Sequence, residues 1–307
     1  MTSLLDDLNR KYVGRAPHMA AIGLEVTAVG PARGTMRLPD RPEWLGDAVR
    51  NVLHPGPLTV LADSACGLAV GAAMRERAPY ATLDLRMDYL RPAAPGHALW
   101  CEAHCHRITA SVGFVRGEVW HTDREAPLAT VQATFMLSTP AGSRRAHEPM
   151  VSSAPAGGAV AEAPAWQAPA DASAVQLGQP IPYVDYLGIR ESLAGDERLY
   201  RLPFDEKLVG NPRLPALHGG VIAGFAETAA TLQVIHTVGG AKQPKSIDFS
   251  IDYLRAGRPE ETFARCEIVR LGARVALVQV RCWQKSPDVP IAVCRAHFLL
   301  SEPGAAG

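Results

Sequence analysis

The chain has 307 residues, 47% of them apolar, and 31 basic side chains balance 31 acidic ones. That length and apolar fraction suit two globular domains of about 150 residues each, while the even charge excludes the basic footprint of a nucleic-acid binder. Six cysteines scattered over the chain do not form a disulfide framework and point to a reducing, cytoplasmic setting.

Met1 to Arg15 carries acids and no long apolar stretch, so it does not read as a secretory signal. Residues 3–13 predict a short amphipathic helix with Leu4, Leu5, Leu8 and Tyr12 on one side. Segments 21–29 and 33–38 predict two strands about the Gly30-Pro31 turn, and residues 40–54 an irregular, proline-containing approach. Residues 56–75 then predict a helix that is apolar nearly all round, hence one enclosed by other structure. The run Leu58 to Met74 contains Asp63 and is short for a membrane span. Four strands are expected near 82–90, 97–109, 111–122 and 127–138.

From about 140 to 180, Ala, Pro, Gly and Ser dominate, as in Ser152-Ser153-Ala154-Pro155-Ala156-Gly157-Gly158, and the segment reads as a linker. Beyond it the first pattern returns. Pro182 stands for Pro17 and Gly188 for Gly23. Leu53-His54-Pro55-Gly56 reappears as Leu217-His218-Gly219-Gly220, Asp63 as Glu227, and Leu83-Asp84-Leu85-Arg86-Met87-Asp88-Tyr89-Leu90-Arg91 as Ile247-Asp248-Phe249-Ser250-Ile251-Asp252-Tyr253-Leu254-Arg255. A single offset kept over so many positions marks a duplication of domain size rather than a solenoid. The expected division is a first domain at 1–140, a linker at 141–180 and a second domain at 181–307. Each domain is of the α+β class, a long central helix wrapped by an antiparallel sheet.

The stretch with the most chemistry is Leu217-His218-Gly219-Gly220-Val221-Ile222-Ala223-Gly224-Phe225-Ala226-Glu227. Glycines let the backbone come close to a ligand. The first amides of a helix have no partner inside it, and the helix dipole is positive there. A carboxylate within an apolar run is costly. Such a stretch is either an ordinary helix start with a tolerated acid or a site for a negative oxygen.

These residues resemble the hotdog-fold acyl-CoA thioesterases, with the phenylacetate-pathway (PaaI-type) branch most similar. The resemblance is carried by the His-Gly-Gly start, the acid nine residues after the His, and the Asp-x-x-x-Asp-Tyr-Leu-Arg strand. It covers both halves, with a degraded motif in the first, and implies a tandem double hotdog standing in for the usual homodimer. It further implies hydrolysis of an acyl thioester without a cofactor beyond the coenzyme A of the substrate. Carried onto this chain, Gly219 supplies the amide that polarises the carbonyl, and Asp63 or Glu227 the base or nucleophile. Asn211 places water or substrate, and Thr82 and Ser246 assist. Thr231 matches a branch of the superfamily, whereas its counterpart Gly67 does not.

Gly219 and Glu227 are eight residues apart, about 12 Å along a helix, so one thioester cannot touch both. A two-fold pair of halves would lay the long helices antiparallel. Gly219 would then meet Asp63, and Glu227 would meet Pro55, which has no N–H. The sequence thus predicts one competent and one impaired site, with Gly56 a substitute donor in the second and Gly220 beside the donor in the first.

His218 and His54 have either a bonding role near the site or a structural role at the helix start. Arg91 and Arg255 are candidates for coenzyme A phosphates, or plain surface charge. The cluster Cys101-Glu102-Ala103-His104-Cys105-His106 has no repeat counterpart, and alternation turns its cysteines away from its histidines, so no metal is expected. Asp84, Asp88, Asp248 and Asp252 read as solvated positions at a sheet edge. Two other classes fit less of the sequence: a non-catalytic acyl-CoA-binding protein, and a hotdog hydratase, whose motif Gly46-Asp47-Ala48-Val49-Arg50-Asn51-Val52-Leu53-His54 echoes only loosely. The expected partner is the acyl-CoA substrate, with no nucleic acid and no membrane; the double unit could assemble further.

Overall fold

The computed structural model describes residues 3–76, 78–137, 166–169, 171–194, 197–212 and 215–302. The first half opens with α1 (Leu4–Leu8) and a π-helical turn at Asn9–Val13, followed by α2 (Pro17–Ile22), β1 (Glu25–Gly30) and β2 (Arg33–Leu38). It continues with the short strands β3 (Leu45–Asp47) and β4 (Val52–Leu53), the long α3 (Pro55–Ala73), and β5 (Tyr80–Tyr89), β6 (Leu99–Ile108), β7 (Val112–Trp120) and β8 (Ala129–Leu137). The second half runs through β9 (Ser173–Ala174), α4 (Pro182–Leu187), β10 (Arg190–Ala194), β11 (Glu197–Leu202), β12 (Val209–Asn211) and β13 (Ala216–Leu217). The long α5 (Gly219–Val238) and β14 (Gln243–Tyr253), β15 (Thr262–Leu271), β16 (Val275–Trp283) and β17 (Ala292–Ser301) complete it. This is a tandem double hotdog.

Two local expectations change. The strand predicted from residue 21 starts only at Glu25, because α2 takes Pro17–Ile22. Pro17 suits the first turn of a helix, and Gly23, at φ 72°, ends it in the left-handed conformation. Pro182 and Gly188 do the same for α4. The helix predicted over 3–13 changes register at Asn9, whose side-chain amide bonds Val26 N–H (2.7 Å) and Val26 C=O (2.9 Å) on β1. Of the segment read as a linker, residues 141–165 and 170 lie outside the described part. Trp166 packs edge-on against Trp283 at 5.5 Å between centroids, and Ser173–Ala174 pairs with β10.

All strands but the β3–β4 and β12–β13 pairs form one sheet of 13, in the order β1-β2-β6-β7-β8-β5-β14-β17-β16-β15-β11-β10-β9. The halves join at its centre, where β5 and β14 run antiparallel with Leu85 opposite Ile251. Asp84 there opposes Asp252 and Asp88 opposes Asp248. The four aspartates are therefore central, not at an edge. They alternate with Leu85, Met87, Phe249 and Ile251, which face the helices and are buried.

Helices α3 and α5 are long and apolar enough to cross a membrane, but 83% and 67% of their apolar windows are buried inside the protein. They cross antiparallel through small residues. A Cβ on Gly220 would lie 2.8 Å from the Val60 Cα, and one on Gly224 would lie 3.7 Å from the Gly56 Cα. This close approach sets each acid against the start of the opposite helix.

The pairing of β5 with β8 skips Leu83, and that of β14 with β17 skips Ile247. A β-bulge inserts one residue and reverses the alternation beyond it. Thr82 and Ser246 thereby turn toward the helices, the side that simple alternation would deny them.

Candidate active site

The start of α5 is built by His218. Its backbone is extended at the cap position, and its Nδ1 accepts the Gly220 N–H at 3.0 Å. The same N–H reaches Asp63 Oδ2 of α3 at 2.8 Å. The other Asp63 oxygen, Oδ1, accepts the Thr82 hydroxyl at 2.9 Å. Asp63 is only 6% exposed, and each oxygen has a donor, as a buried carboxylate requires. The Gly219 Cα faces the same acid, since a Cβ there would lie 3.1 Å from Asp63 Oδ2. Among the described residues nothing accepts a hydrogen bond from the Gly219 N–H. A backbone donor thus stands free at the positive end of a helix, beside a carboxylate of the other half.

The surroundings hold this arrangement. The His218 C=O, in the same peptide unit as the Gly219 N–H, accepts Val221 N–H (3.0 Å) and Ile222 N–H (3.2 Å). The Gly219 C=O accepts the Tyr253 hydroxyl at 2.7 Å. Because His218 Nδ1 accepts, the ring proton belongs on Nε2, which lies 3.3 Å from Ser64 Oγ. Ser64 passes its own proton to Val60 C=O at 2.8 Å. Burial lowers the His218 pKa, and Asp63 opposes that shift, so the ring is neutral at physiological pH.

The start of α3 has the same frame and different content. His54 caps it and accepts the Gly56 N–H at 3.0 Å. Pro55 occupies the position of Gly219 and has no N–H to offer. The opposing acid, Glu227, is fully buried. Its Oε2 accepts Tyr89 Oη–H at 2.9 Å and Thr59 Oγ1–H at 3.1 Å, and the nearby Ser246 hydroxyl also lowers its pKa. Oε1 is buried with no partner. Burial, only partly opposed by these hydroxyls, pushes the Glu227 pKa up to about 8. At neutral pH this acid is largely protonated. Tyr183 of α4 closes the site: its ring stacks on His54 at 4.8 Å, and a Cβ on Gly56 would come within 2.4 Å of it. At the other site the repeat counterpart of Tyr183 is the smaller His18, 5.5 Å from the His218 ring.

The remaining predicted residues stand apart. Asn211 is exposed on β12, outside the hydrogen bonds around Asp63. Thr231 returns its hydroxyl to the Glu227 backbone C=O at 2.9 Å. Arg91 is exposed, and Arg255 donates to the Pro290 C=O at 2.7 Å. Cys101 and Cys105 face the core, while His104 is half-buried and His106 exposed, so these four side chains do not converge. Sequence reasoning assigned nothing to Tyr253, Tyr89, Thr59, Ser64 or Tyr183. A signal for the first two was present, since each tyrosine holds the same place in a repeated Asp-Tyr-Leu-Arg.

Comparison with known proteins agrees with this architecture. The family described as the thioesterase superfamily matches residues 50–127 and again 214–291, together half of the chain. The chain belongs to the thioesterase superfamily. Each match spans one long helix with its cap and the strands that follow, so the family unit is present twice. The medium/long-chain acyl-CoA thioesterase YigI of Salmonella typhimurium is 28% identical over 139 residues, 41% of this chain and 88% of that protein. Among solved structures, a conserved hot dog fold protein from Alicyclobacillus acidocaldarius covers 91% of this chain and 96% of its own, with a TM-score of 0.63 at 12% identity. Acyl-CoA thioesterase II TesB2 from Mycobacterium marinum covers 93% of this chain and 97% of its own, with a TM-score of 0.58 at 12% identity. At those identities the two structures establish the fold, and nothing finer.

Proposed function

We propose that this thioesterase-superfamily protein hydrolyses an acyl-CoA to the free acid and coenzyme A, at the site formed by Gly219 and Asp63. The observation that carries this reading is the unpaired Gly219 N–H beside a carboxylate contributed by the opposite half. Attack on a thioester carbonyl creates a tetrahedral oxyanion. A preset backbone N–H aimed at that oxygen is worth about a hundredfold or more in rate. In this reading Gly219 N–H receives the oxyanion, and the Asp63 carboxylate takes the proton of the attacking water. Thr82 keeps the carboxylate turned toward the helix start, and His218 stays neutral and orients the Gly220 amide. The chemistry calls on no cofactor beyond the coenzyme A of the substrate, and the six free thiols suit a reducing cytoplasmic setting.

The names of the curated relatives from Salmonella and Escherichia point to medium or long acyl chains. The test is thiol release from acyl-CoAs of graded chain length, including aromatic ones. We expect turnover of at least one class by the wild type and its loss in Asp63→Asn. Absence of thiol release from every acyl-CoA would remove this reading.

A further inference from the structure

The repeat places a tyrosine at the same position in each half, yet the two hydroxyls do different things. Tyr89 donates to the Glu227 carboxyl at 2.9 Å. Tyr253 donates to a backbone carbonyl, that of Gly219, at 2.7 Å. Both rings are partly buried against the core, and neither tyrosine takes part in the reaction proposed above.

Two differences between the halves account for the switch. Glu227 is one methylene longer than Asp63 and extends to Tyr89, whereas Asp63 stops at Gly220 N–H and Thr82. The residue at the helix start also differs. Pro55 has φ fixed by its ring, and the Thr59 oxygen lies 3.3 Å from its C=O while giving its one proton to Glu227 Oε2. Gly219 has no such restraint and is the most conformationally free residue type. Thr59 is replaced by Ala223, which has no hydroxyl, and the Gly219 C=O accepts the Tyr253 hydroxyl.

The geometry points to Tyr253 as a positioning residue that holds the Gly219 N–H in the orientation needed to receive the oxyanion. The peptide unit before Gly219 is held through the His218 C=O by Val221 and Ile222. The unit after it is held at its N–H by Asp63 and His218 and at its C=O by Tyr253. The tyrosine thus does for a glycine what the pyrrolidine ring does for Pro55, but leaves the N–H in place. A Cβ at position 219 would lie a tight 3.1 Å from Asp63 Oδ2; the tether restores the order that glycine gives up. This role rests on the reading of Gly219 and Asp63 as the thioesterase site.

The test compares Tyr253→Phe with Tyr89→Phe, each conservative in shape. Tyr253→Phe should lower kcat roughly tenfold with KM unchanged within about twofold, the signature of a misplaced transition-state donor. Tyr89→Phe should leave both constants within about twofold of wild type. Hydrogen exchange of the peptide covering residues 217–225 supplies a readout independent of activity, and it should quicken in Tyr253→Phe and not in Tyr89→Phe. An unchanged kcat in Tyr253→Phe, a rise confined to KM, or exchange no faster than wild type would each overturn the positioning role. If the wild type itself releases no thiol, the proposed reaction fails, and the exchange comparison still decides whether the tether exists.

Discussion

The two helix starts of this protein share a scaffold and have come to hold opposite chemistry. At the α5 end a short acid with a donor on each oxygen faces a glycine whose N–H has no acceptor among the described residues. At the α3 end a longer acid is sealed among hydroxyls, faces a proline, and lies behind the Tyr183 ring that covers Gly56 and His54. Both ends keep the histidine cap, the antiparallel helix crossing and the bulged strand. What differs is whether a proton donor and a charged acceptor can meet a substrate. Duplication within one chain frees one copy of the site from selection on turnover, and burial can then turn its carboxylate into a neutral packing element.

The largest test of this contrast is removal of each charge. Asp63→Asn should lower kcat about a thousandfold, the scale of a lost general base. Glu227→Gln should leave kcat within about threefold of wild type, because that acid is already largely protonated. Steady-state thiol release measures both. Equal losses in the two variants would mean that the sites work alike, and the reverse ranking would move the chemistry to Glu227.

A second substitution converts one site into the other. Gly219→Pro installs the residue found at position 55 and deletes the N–H. Proline suits the first position of a helix, and the preceding residue, His218, already has the extended backbone (φ −64°, ψ 133°) that a following proline favours. The protein should fold, with kcat lower by about a hundredfold. Gly219→Ala keeps the N–H and should lose less. Similar losses in both would assign the defect to crowding of Asp63 rather than to the missing donor.

Much of this contrast was legible in the sequence, and the unread part has physical causes. The duplication, the two enclosed helices and the opposition of Asp63 to Gly219 follow from repeat spacing and the reach of a helix. Pro55 in place of Gly219 is visible as a missing N–H. The Leu83 bulge is not visible, since an extra residue in a strand leaves no mark in an alternating pattern. Strict alternation puts Thr82 outward with Asp84, and only the family resemblance singled it out. Tyr183 was missed because its effect depends on α4 of one half crossing to the helix start of the other, a tertiary fact. The strand expected from residue 21 gives way to a helix because Pro17 and Gly23, which recur in the repeat, are also the two ends of α2.

The bulge supplies the next smaller effect. Thr82→Ala removes the hydroxyl that donates to Asp63 Oδ1. A lost hydrogen bond to a charged group is worth about 1.5–3 kcal/mol, and part of it will be recovered by water at this half-buried strand. The expected fall in kcat is about fivefold to tenfold. Ser246→Ala, its repeat counterpart, should leave turnover unchanged, since it lies at the Glu227 end. A loss in Ser246→Ala matching that in Thr82→Ala would show that both bulged strands serve catalysis.

The smallest effect is on stability alone, and it isolates the sealed acid. Glu227 has an ordinary pKa near 4.5 and is raised to about 8 by burial. Between those values the folded protein keeps a proton that the unfolded chain has released. Stability therefore falls as pH rises through that window and levels off above about pH 8. Glu227→Gln carries no such proton. Its melting temperature, measured beside that of the wild type from pH 5 to 9, should gain on the wild type up to about pH 8 and then run parallel. Groups common to both proteins cancel in the difference. Curves that stay parallel across the whole range would mean that Glu227 is ionised in the fold, and the sealed site would then have to be read as a second charged centre.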